Sequence, residues 1–233
     1  MKMQNTWILI LVLIILIILM GTGLYWTFKR RTPNLLMQND NNYQIYELPH
    51  FLTDEECDYL REIAQKKGLF ASRVYGNGSD HLDTNVRKSD QAWLNPNEDP
   101  KVKAIAERVS HLTGLPISHQ EQIQVARYLP GGKFDPHYDA CDDNADSCAG
   151  MNRSAGPRYI TVLVYLNDGY TGGTTSFPKL GKSIQPEKGK AILFYDVDFH
   201  TGKILNKSYH AGDPLIDGEK WIMNCWIHLK PFN

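Results

Sequence analysis

A histidine and an aspartate separated by one residue are well suited to bind a metal ion. His137 and Asp139 follow a predicted strand and the turn Gly131-Gly132. Residues i and i+2 of an extended segment point to the same face, so this imidazole and this carboxylate would converge on one point. A further histidine would complete a 2-His-1-carboxylate triad, which is the ligand set of non-haem iron(II) oxygenases and leaves coordination positions open.

The His-x-Asp pattern alone is a weak signal, because short motifs arise by chance. A second copy occurs at His81-Leu82-Asp83. That copy lies in a turn-rich stretch with no predicted strand around it, so we interpret it as a chance match. A hydrogen-bonded surface histidine is the alternative interpretation of His137.

Three downstream histidines could supply the second imidazole. We favour His210 over His200, which falls in a predicted loop, and over His228, which falls on a strand face. Turn-forming residues follow His210 and lead to Lys220, so two strands folded back on each other would bring these residues close. A lysine beside such a site can hold the far carboxylate of a dicarboxylate co-substrate, whereas a solvated charge at a strand end is the alternative.

Two helices are predicted to precede the strands that position these residues. A capping box at Thr53–Glu56 opens a helix that runs to about Lys67 and ends at Gly68. A second helix begins at Asp99-Pro100 and ends at Gly114. Predicted strands after residue 120 are Gln122–Tyr128, Tyr159–Leu166, Ala191–Tyr195 and Trp221–His228. This order predicts an α+β domain with a small sandwich or jelly roll that holds a ligand at its mouth.

The composition fits one globular domain and excludes some partners. The chain has 233 residues and a formal net charge of −1, so it lacks the basic surface that nucleic-acid binding requires. None of the 4 cysteines forms a CxxC pair, which disfavours structural zinc. Cys141 and Cys148 could form a disulfide in an oxidising compartment, and four free thiols are the alternative.

An apolar N-terminal segment predicts attachment to a membrane. Residues 7–28 as a helix would span about 33 Å, enough to cross a bilayer. Tyr25, Trp26 and the cluster Lys29-Arg30-Arg31 follow the possible cleavage site at Gly21–Gly23, which favours a membrane anchor over residues 1–31 rather than a cleaved signal peptide. A polar linker is predicted over residues 32–42, and the folded domain over residues 43–233.

The orientation of this anchor can be interpreted in two ways. The basic cluster lies on its C-terminal side, and the positive-inside rule would then place the folded domain in the cytosol. Three Asn-x-Ser sequons, at Asn77, Asn152 and Asn206, favour a lumenal glycoprotein. We expect a single-pass membrane protein of the endoplasmic reticulum with a lumenal folded domain.

Several segments between residues 45 and 231 together resemble the catalytic domain of the prolyl 4-hydroxylase family. Their order, their spacing and the ten-residue step from His210 to Lys220 make the resemblance specific. The matching segments are Val86–Ser89, Ala92–Leu94, Gln124–Tyr128, Gly132–Asp139, Arg158–Asn167, Gly172–Pro178, Ser208–Pro214, Gly218–Ile222 and Trp226.

The resemblance implies a fold and a set of binding residues. The fold would be a double-stranded β-helix, a jelly roll with flanking N-terminal helices. Lys220 would pair with the C5 carboxylate of 2-oxoglutarate. The implied iron(II) ligands are His137, Asp139 and His210. The implied hydroxyl donors to the co-substrate are Tyr128 and Thr161. The implied peptide-binding residues are Arg87, Ser89 and Trp226.

The implied reaction is hydroxylation of peptidyl proline to 4-hydroxyproline, with 2-oxoglutarate and oxygen as co-substrates and L-ascorbate as a reductant. Two departures from the family pattern are Phe134, where tyrosine is frequent, and Asp213, where cysteine is usual. The missing hydroxyl at Phe134 leaves open a hydroxylase of another peptidyl residue, such as lysine. A membrane-tethered peptide-binding module with a degenerate metal site is a further alternative. The sequence predicts no oligomeric state.

Overall fold

The computed structural model describes residues 40–76, 78–141 and 148–232. The anchor predicted over residues 1–31 and the sequon at Asn77 therefore lie outside the described residues, as does most of the predicted linker. Among the helices of the described part, none is long and apolar enough to span a membrane.

Short helices and many strands make up the described residues. The α-helices are α1 (Asp54–Lys67), α2 (Pro100–Thr113) and α3 (Ala149–Asn152). The strands are β1 (Tyr46–Leu48), β2 (Phe70–Ala71), β3 (Val74–Gly76), β4 (Ser79–His81), β5 (Arg87–Lys88), β6 (Asp90–Leu94), β7 (Ile123–Tyr128), β8 (Lys133–His137), β9 (Arg158–Tyr165), β10 (Thr171–Gly172), β11 (Thr175–Phe177), β12 (Lys182–Ile184), β13 (Ala191–Tyr195), β14 (His210–Gly212), β15 (Leu215–Asp217) and β16 (Lys220–His228).

Two antiparallel sheets face each other and enclose the core. One has seven strands in the order β1-β13-β9-β16-β7-β6-β2, and the other has five in the order β12-β11-β14-β8-β5. Phe177 of β11 packs edge-on against Phe194 of β13, with ring centroids 5.2 Å apart. The hydroxyl of Tyr165 on β9 donates to Thr175 Oγ1 on β11 over 2.8 Å. This arrangement agrees with the predicted strand-rich, jelly-roll type of core.

The four strands predicted from the sequence are confirmed. They lie next to one another in the seven-stranded sheet. They are β13, β9, β16 and β7, and their observed ends differ from the predicted ends by no more than one residue. Their long apolar runs are typical of strands covered on both faces, which is why they are visible in the sequence. The prediction that strands begin only after residue 120 was wrong, because β1 to β6 are too short to show a periodic pattern.

Both predicted helices are confirmed with their caps. The backbone N–H of Glu56 donates to Thr53 Oγ1 over 3.2 Å, and the N–H of Thr53 donates to Glu56 Oε2 over 2.9 Å. Helix α1 ends at Gly68, whose φ of 91° is a conformation that favours glycine. The side chain of Asp99 accepts from the first turn of α2, and Gly114 ends that helix in the left-handed region.

Thr53→Ala is expected to lower the free energy of unfolding by about 1 kcal/mol, because the first turn of α1 loses its hydroxyl acceptor. Urea unfolding of the two proteins would measure this difference. Thr53→Ser keeps the acceptor and is the matched control. An equal loss in both variants would contradict the capping role.

Candidate functional site

Three side chains able to bind a metal meet between the two sheets. β8 ends at His137 and β14 begins at His210, and these residues face each other in the antiparallel pair. Nε2 of His137 lies 3.5 Å from Oδ1 of Asp139, and Nε2 of His210 lies 3.7 Å from Oδ2. The three ligand atoms all lie within 4.8 Å of one another, and no other such group occurs in the part of the chain that the structure describes.

The orientation of both imidazoles suits metal binding. Nδ1 of His137 lies 2.7 Å from the carbonyl oxygen of Asp135, and Nδ1 of His210 lies 2.8 Å from that of Ser208. A carbonyl oxygen only accepts, so each Nδ1 carries the proton and donates. In the neutral imidazole each Nε2 then has a lone pair that faces Asp139, which is how ligating histidines are usually held.

Charges around the triad favour an ionised carboxylate and a neutral imidazole. Burial would raise the pKa of Asp139, but His210, His137 and Arg158 outweigh it and hold that pKa well below its usual range. Burial and the neighbouring His137 lower the pKa of His210 to about 4, although Asp139 opposes the shift. At neutral pH this pair therefore offers one anionic and one neutral donor.

Thr161 contacts the carboxylate of Asp139 and does not line the small cavity that Lys220 borders. Its hydroxyl lies 2.8 Å from Asp139 Oδ2 and 2.8 Å from Asp196 Oδ2. Both contacts are carboxylates of the protein, and the role of Thr161 as a donor to 2-oxoglutarate stays a prediction. The sequence predicted that Thr161 lies on a strand, but it did not predict the direction of the Thr161 hydroxyl.

Lys220 is a buried cation next to the triad. It is 2% exposed and borders a cavity of about 30 Å³ that His210 also lines. In the described part of the chain no carboxylate forms an ion pair with it, although Asp213 is near enough to act on its pKa. A Cβ built at Gly212 would lie 4.0 Å from Lys220 Nζ, so glycine leaves room beside the ammonium.

Lys220 and His210 come together in a different way from the one predicted. The sequence suggested a hairpin, but β14 belongs to the five-stranded sheet and β16 to the seven-stranded sheet. The two residues therefore meet across the sandwich. β15 lies between them in the chain and pairs with β10 in a small separate sheet.

Three residues with hydroxyl groups lie near Lys220 or line the small cavity beside it. Tyr128 lies opposite Lys220 in the β7–β16 pair, and Lys220 Nζ is 5.1 Å from the centroid of its ring. The sequence reasoning missed Thr175, which also lines the cavity, and Tyr165, whose ring centroid lies 6.0 Å from Lys220 Nζ. The alternation along β9 could have identified Tyr165, because it points to the same face as Leu163, which lines this cavity.

A groove of about 780 Å³ leads to the triad from the other side. His137, Asp139 and Trp226 line both this groove and the small cavity, so the two meet at the triad. Other aromatic residues of the wall are Tyr75, Trp93, Phe134 and Tyr138. The wall of the groove is therefore rich in aromatic side chains.

Arg87 lines this groove, whereas Ser89 lies behind it. The guanidinium of Arg87 donates to Gln124 Oε1 over 3.0 Å and lies 4.6 Å from the centroid of the Phe134 ring. Ser89 Oγ accepts from Arg87 Nε over 3.2 Å and donates to Ser72. Ser89 therefore supports the arginine, and its predicted part in peptide binding stays a prediction.

A buried charge cluster stands behind Trp226 and was missed by the sequence reasoning. Arg158 lies 3.7 Å from the Trp226 ring centroid and donates to both carboxylate oxygens of Glu121. His228 Nε2 lies 3.1 Å from Glu121 Oε1. Burial opposes ionisation, but Arg158 and His228 lower the pKa of Glu121 to about 2. The cluster fixes Arg158 and Glu121 in the groove wall.

The other candidate histidines lie away from the triad. His200 is exposed in a turn where Asp198 Oδ1 accepts from its backbone N–H. His81 and Asp83 line the rim of the groove and belong to no metal-binding group of the described residues. The expectation that no strand surrounds them was wrong, because His81 is the last residue of β4.

The pairing of Cys141 with Cys148 predicted as one alternative is confirmed. The two form a disulfide, while Cys57 and Cys225 are buried thiols. Cys141 lines the groove two residues after Asp139. The bridge therefore closes a loop at the mouth of the groove, and residues 142–147 of that loop lie outside the described part.

The chain is similar to proteins of one family. A family model described as the 2OG-Fe(II) oxygenase superfamily matches residues 123–228. A protein of Acanthamoeba polyphaga mimivirus named putative prolyl 4-hydroxylase is 35% identical over 188 residues, which cover 81% of this chain and 75% of the relative. The prolyl 4-hydroxylase subunit alpha-1 of Rattus norvegicus is 35% identical over 80% of this chain, which spans only 35% of that subunit.

A solved structure shows the same similarity in three dimensions. It is the viral collagen prolyl hydroxylase of Paramecium Bursaria Chlorella virus-1 in a 2OG complex, with a TM-score of 0.64 at 32% identity. The match covers 81% of this chain and 97% of the viral chain. Nearly the whole viral enzyme therefore has a counterpart here.

Proposed function

This chain belongs to the prolyl 4-hydroxylase family of 2-oxoglutarate- and iron(II)-dependent oxygenases, and from this premise we propose that it converts peptidyl proline to 4-hydroxyproline. The reaction consumes oxygen and 2-oxoglutarate and releases succinate and carbon dioxide. One observation carries the proposal: three metal-binding side chains meet beside a buried lysine that no carboxylate of the described residues neutralises. The double-stranded β-helix expected of the family is the fold we propose for the two facing sheets.

The residues present fit iron(II). Two neutral imidazoles and one carboxylate are the ligand set of non-haem iron oxygenases, and they leave positions open for further ligands. In the proposed site His137, Asp139 and His210 hold the metal. When bound, iron(II) together with 2-oxoglutarate supplies the oxidising chemistry.

The small cavity fits the far carboxylate of the co-substrate. A buried ammonium without an anion costs free energy unless a ligand supplies one, so Lys220 needs a negative partner. The hydroxyl of Thr175, which accepts a hydrogen bond from Tyr165, lines this cavity and can donate a hydrogen bond to that carboxylate. The keto acid end of 2-oxoglutarate would then face His210, which also lines the cavity.

The groove supports a proline-rich substrate. Such segments adopt the extended polyproline II conformation, and proteins recognise them with grooves lined by aromatic side chains. Trp93, Trp226 and Phe134 provide this surface next to the triad. Phe134 stacks on His137 with ring centroids 3.5 Å apart, so a bound proline ring would lie close to the metal ligands.

The protein's own residues orient the reactants and exclude water. Lys220 would hold the co-substrate in one register, Arg87 and Arg158 shape the peptide groove, and Trp226 lines both the groove and the cavity. Positioning of this kind lowers the barrier because the reacting groups meet in one geometry.

A peptide panel tests the proposed function. Residues 33–233 would be supplied with iron(II), 2-oxoglutarate, L-ascorbate and peptides that contain either proline or lysine as the only hydroxylatable residue. We expect succinate release with the proline peptides, and the mass of one oxygen atom added to proline. Oxidation of lysine alone would favour the alternative hydroxylase. Peptide binding without metal binding or succinate would favour the peptide-binding module.

Binding of 2-oxoglutarate to the iron-loaded protein is expected to weaken as pH rises through about 8. Burial lowers the pKa of Lys220 to about 8, with Asp213 opposing the shift. Below this pH the ammonium is charged and attracts the co-substrate carboxylate; above it the charge is lost, so affinity should fall by up to about tenfold per pH unit.

Dissociation constants of 2-oxoglutarate measured on both sides of this pH would check the expectation. Lys220→Arg is the control, because arginine keeps its charge over the whole range. An equal loss of affinity in both proteins would show that another group titrates.

We also propose that residues 1–31 anchor the protein in a membrane and that the catalytic domain faces an oxidising compartment, the lumen of the endoplasmic reticulum. The disulfide between Cys141 and Cys148 supports this orientation, because such bridges are rare in the cytosol. The sequon at Asn206 is exposed and so is available for a glycan, whereas Asn152 is buried.

Protease treatment of sealed microsomes should spare the domain until detergent is added, and digestion without detergent would contradict the proposal.

A further inference from the structure

Asp139 lies in an irregular segment, so no strand fixes its carboxylate. β8 ends two residues before it, and the disulfide-closed loop begins two residues after it. Backbone support comes from Arg158, which donates to the carbonyl of Asp139 over 3.4 Å. The side chain of a metal ligand on such a segment needs an external contact to hold one orientation.

That contact is the hydroxyl of Thr161. Thr161 stands on β9 inside the seven-stranded sheet, where it is paired with Phe194 on one side and Trp226 on the other. Its Oγ1 atom lies 2.8 Å from Asp139 Oδ2. One hydrogen bond therefore connects the carboxylate of Asp139 to the seven-stranded sheet.

A second carboxyl group, that of Asp196, lies on the other side of the same hydroxyl. Its Oδ2 is 2.8 Å from Thr161 Oγ1, its side chain is fully buried, and its Oδ1 has no hydrogen-bond partner in the described residues. The backbone of Asp196 is fixed on both sides, since its N–H donates to Tyr159 and its carbonyl accepts from Leu205, both over 2.9 Å.

The count of protons sets the direction of these hydrogen bonds. A hydroxyl has one proton to donate, and an ionised carboxylate can only accept. Asp139 is ionised when it binds a metal, so the proton of Thr161 belongs to the bond with Asp139. The remaining lone pairs of Thr161 then face Asp196, which must carry a proton to complete the second bond. Burial with an unpaired oxygen also favours the neutral form of Asp196, and the pKa of this group is raised.

We propose that Asp196 is a positioning residue that donates to the Thr161 hydroxyl and, through it, fixes the carboxylate of Asp139 for metal binding. The inference rests on the proposed function only in that Asp139 is taken to bind the metal. It assigns Thr161 and Asp196 to the support of the metal site rather than to co-substrate binding.

Cobalt(II) binding tests this inference without turnover, because cobalt has a visible spectrum that reports its ligands. Loss of a group that supports a ligand typically weakens metal binding about 10–100-fold. We expect a loss of this size in Thr161→Val and in Asp196→Leu, both of which keep the side-chain volume roughly constant. Thr161→Ser and Asp196→Asn restore the hydroxyl and a neutral donor, and they should bind cobalt within about threefold of the wild type.

Three results would overturn the inference, and they separate it from failure of the proposed function. Unchanged affinity in Thr161→Val would show that the hydroxyl does not hold the ligand. An equal loss in Asp196→Asn and Asp196→Leu would show that Asp196 acts as a negative charge and not as a donor. Parallel loss of thermal stability in the metal-free variants would indicate a merely structural role. Wild-type affinity in His137→Ala would instead refute the metal site itself.

Discussion

His210→Ala is expected to abolish both succinate release and proline hydroxylation, with a loss of more than about 100-fold. The side chain is 5% exposed and its Nε2 lies 3.7 Å from Asp139. Removal of a group that only supports a ligand already costs about 10–100-fold in metal affinity or activity, so removal of one of three ligands should cost more. Metal content, succinate and hydroxyproline would be measured on the same samples.

His200→Ala is the matched control for this loss, because His200 is an exposed histidine in a turn that contacts neither the triad nor Lys220. Its activity should equal that of the wild type. A His210→Ala variant that kept its metal and turned over peptide would contradict the assignment of the triad.

Lys220→Met is expected to remove the preference of the protein for a dicarboxylate co-substrate. Methionine keeps the length of the side chain but not its charge, so the partner of the far carboxylate is lost. A charge-assisted hydrogen bond contributes about 1.5–3 kcal/mol, and a buried one more, which corresponds to a roughly 10–100-fold rise in the dissociation constant of 2-oxoglutarate. Titration of the metal-loaded protein would measure this constant.

The recognition of the far carboxylate can be tested directly with 2-oxopentanoate, an analogue that has a methyl group where 2-oxoglutarate has this carboxylate. In the wild type 2-oxoglutarate should bind far better than this analogue, and in Lys220→Met the two should bind alike. Lys182→Met, which removes a surface lysine, is the control and should keep the wild-type preference. A preference that survived Lys220→Met would mean that other residues recognise the far carboxylate.

Much of the site could be predicted from the sequence, because the pattern of each element is local. The convergence of His137 and Asp139 was expected from the alternation of an extended backbone, although β8 ends at His137 and Asp139 follows in an irregular segment. The capped helices and apolar strands carry their own signals. The proximity of His210 and Lys220 was also expected. The reason given was wrong, since it is the packing of two sheets and not a hairpin that joins them.

The direction of individual side chains could not be predicted in the same way. Thr161 and Ser89 lie near the expected places, but their hydroxyls face Asp139 and Arg87 instead of a ligand. Arg158 and Glu121 are separated by 37 residues, and only the folded chain shows that they pair beneath Trp226. Contacts of this kind depend on the register between strands, which one sequence does not contain.

The most direct test of the central claim is the origin of the oxygen atom in the product. The protein would be incubated with a proline-rich peptide, iron(II), L-ascorbate, 2-oxoglutarate and isotopically labelled oxygen gas, with His137→Ala in parallel. We predict one labelled oxygen atom in hydroxyproline for each succinate formed, and neither product with His137→Ala. Unlabelled or absent hydroxyproline, or succinate formed equally by His137→Ala, would contradict the account.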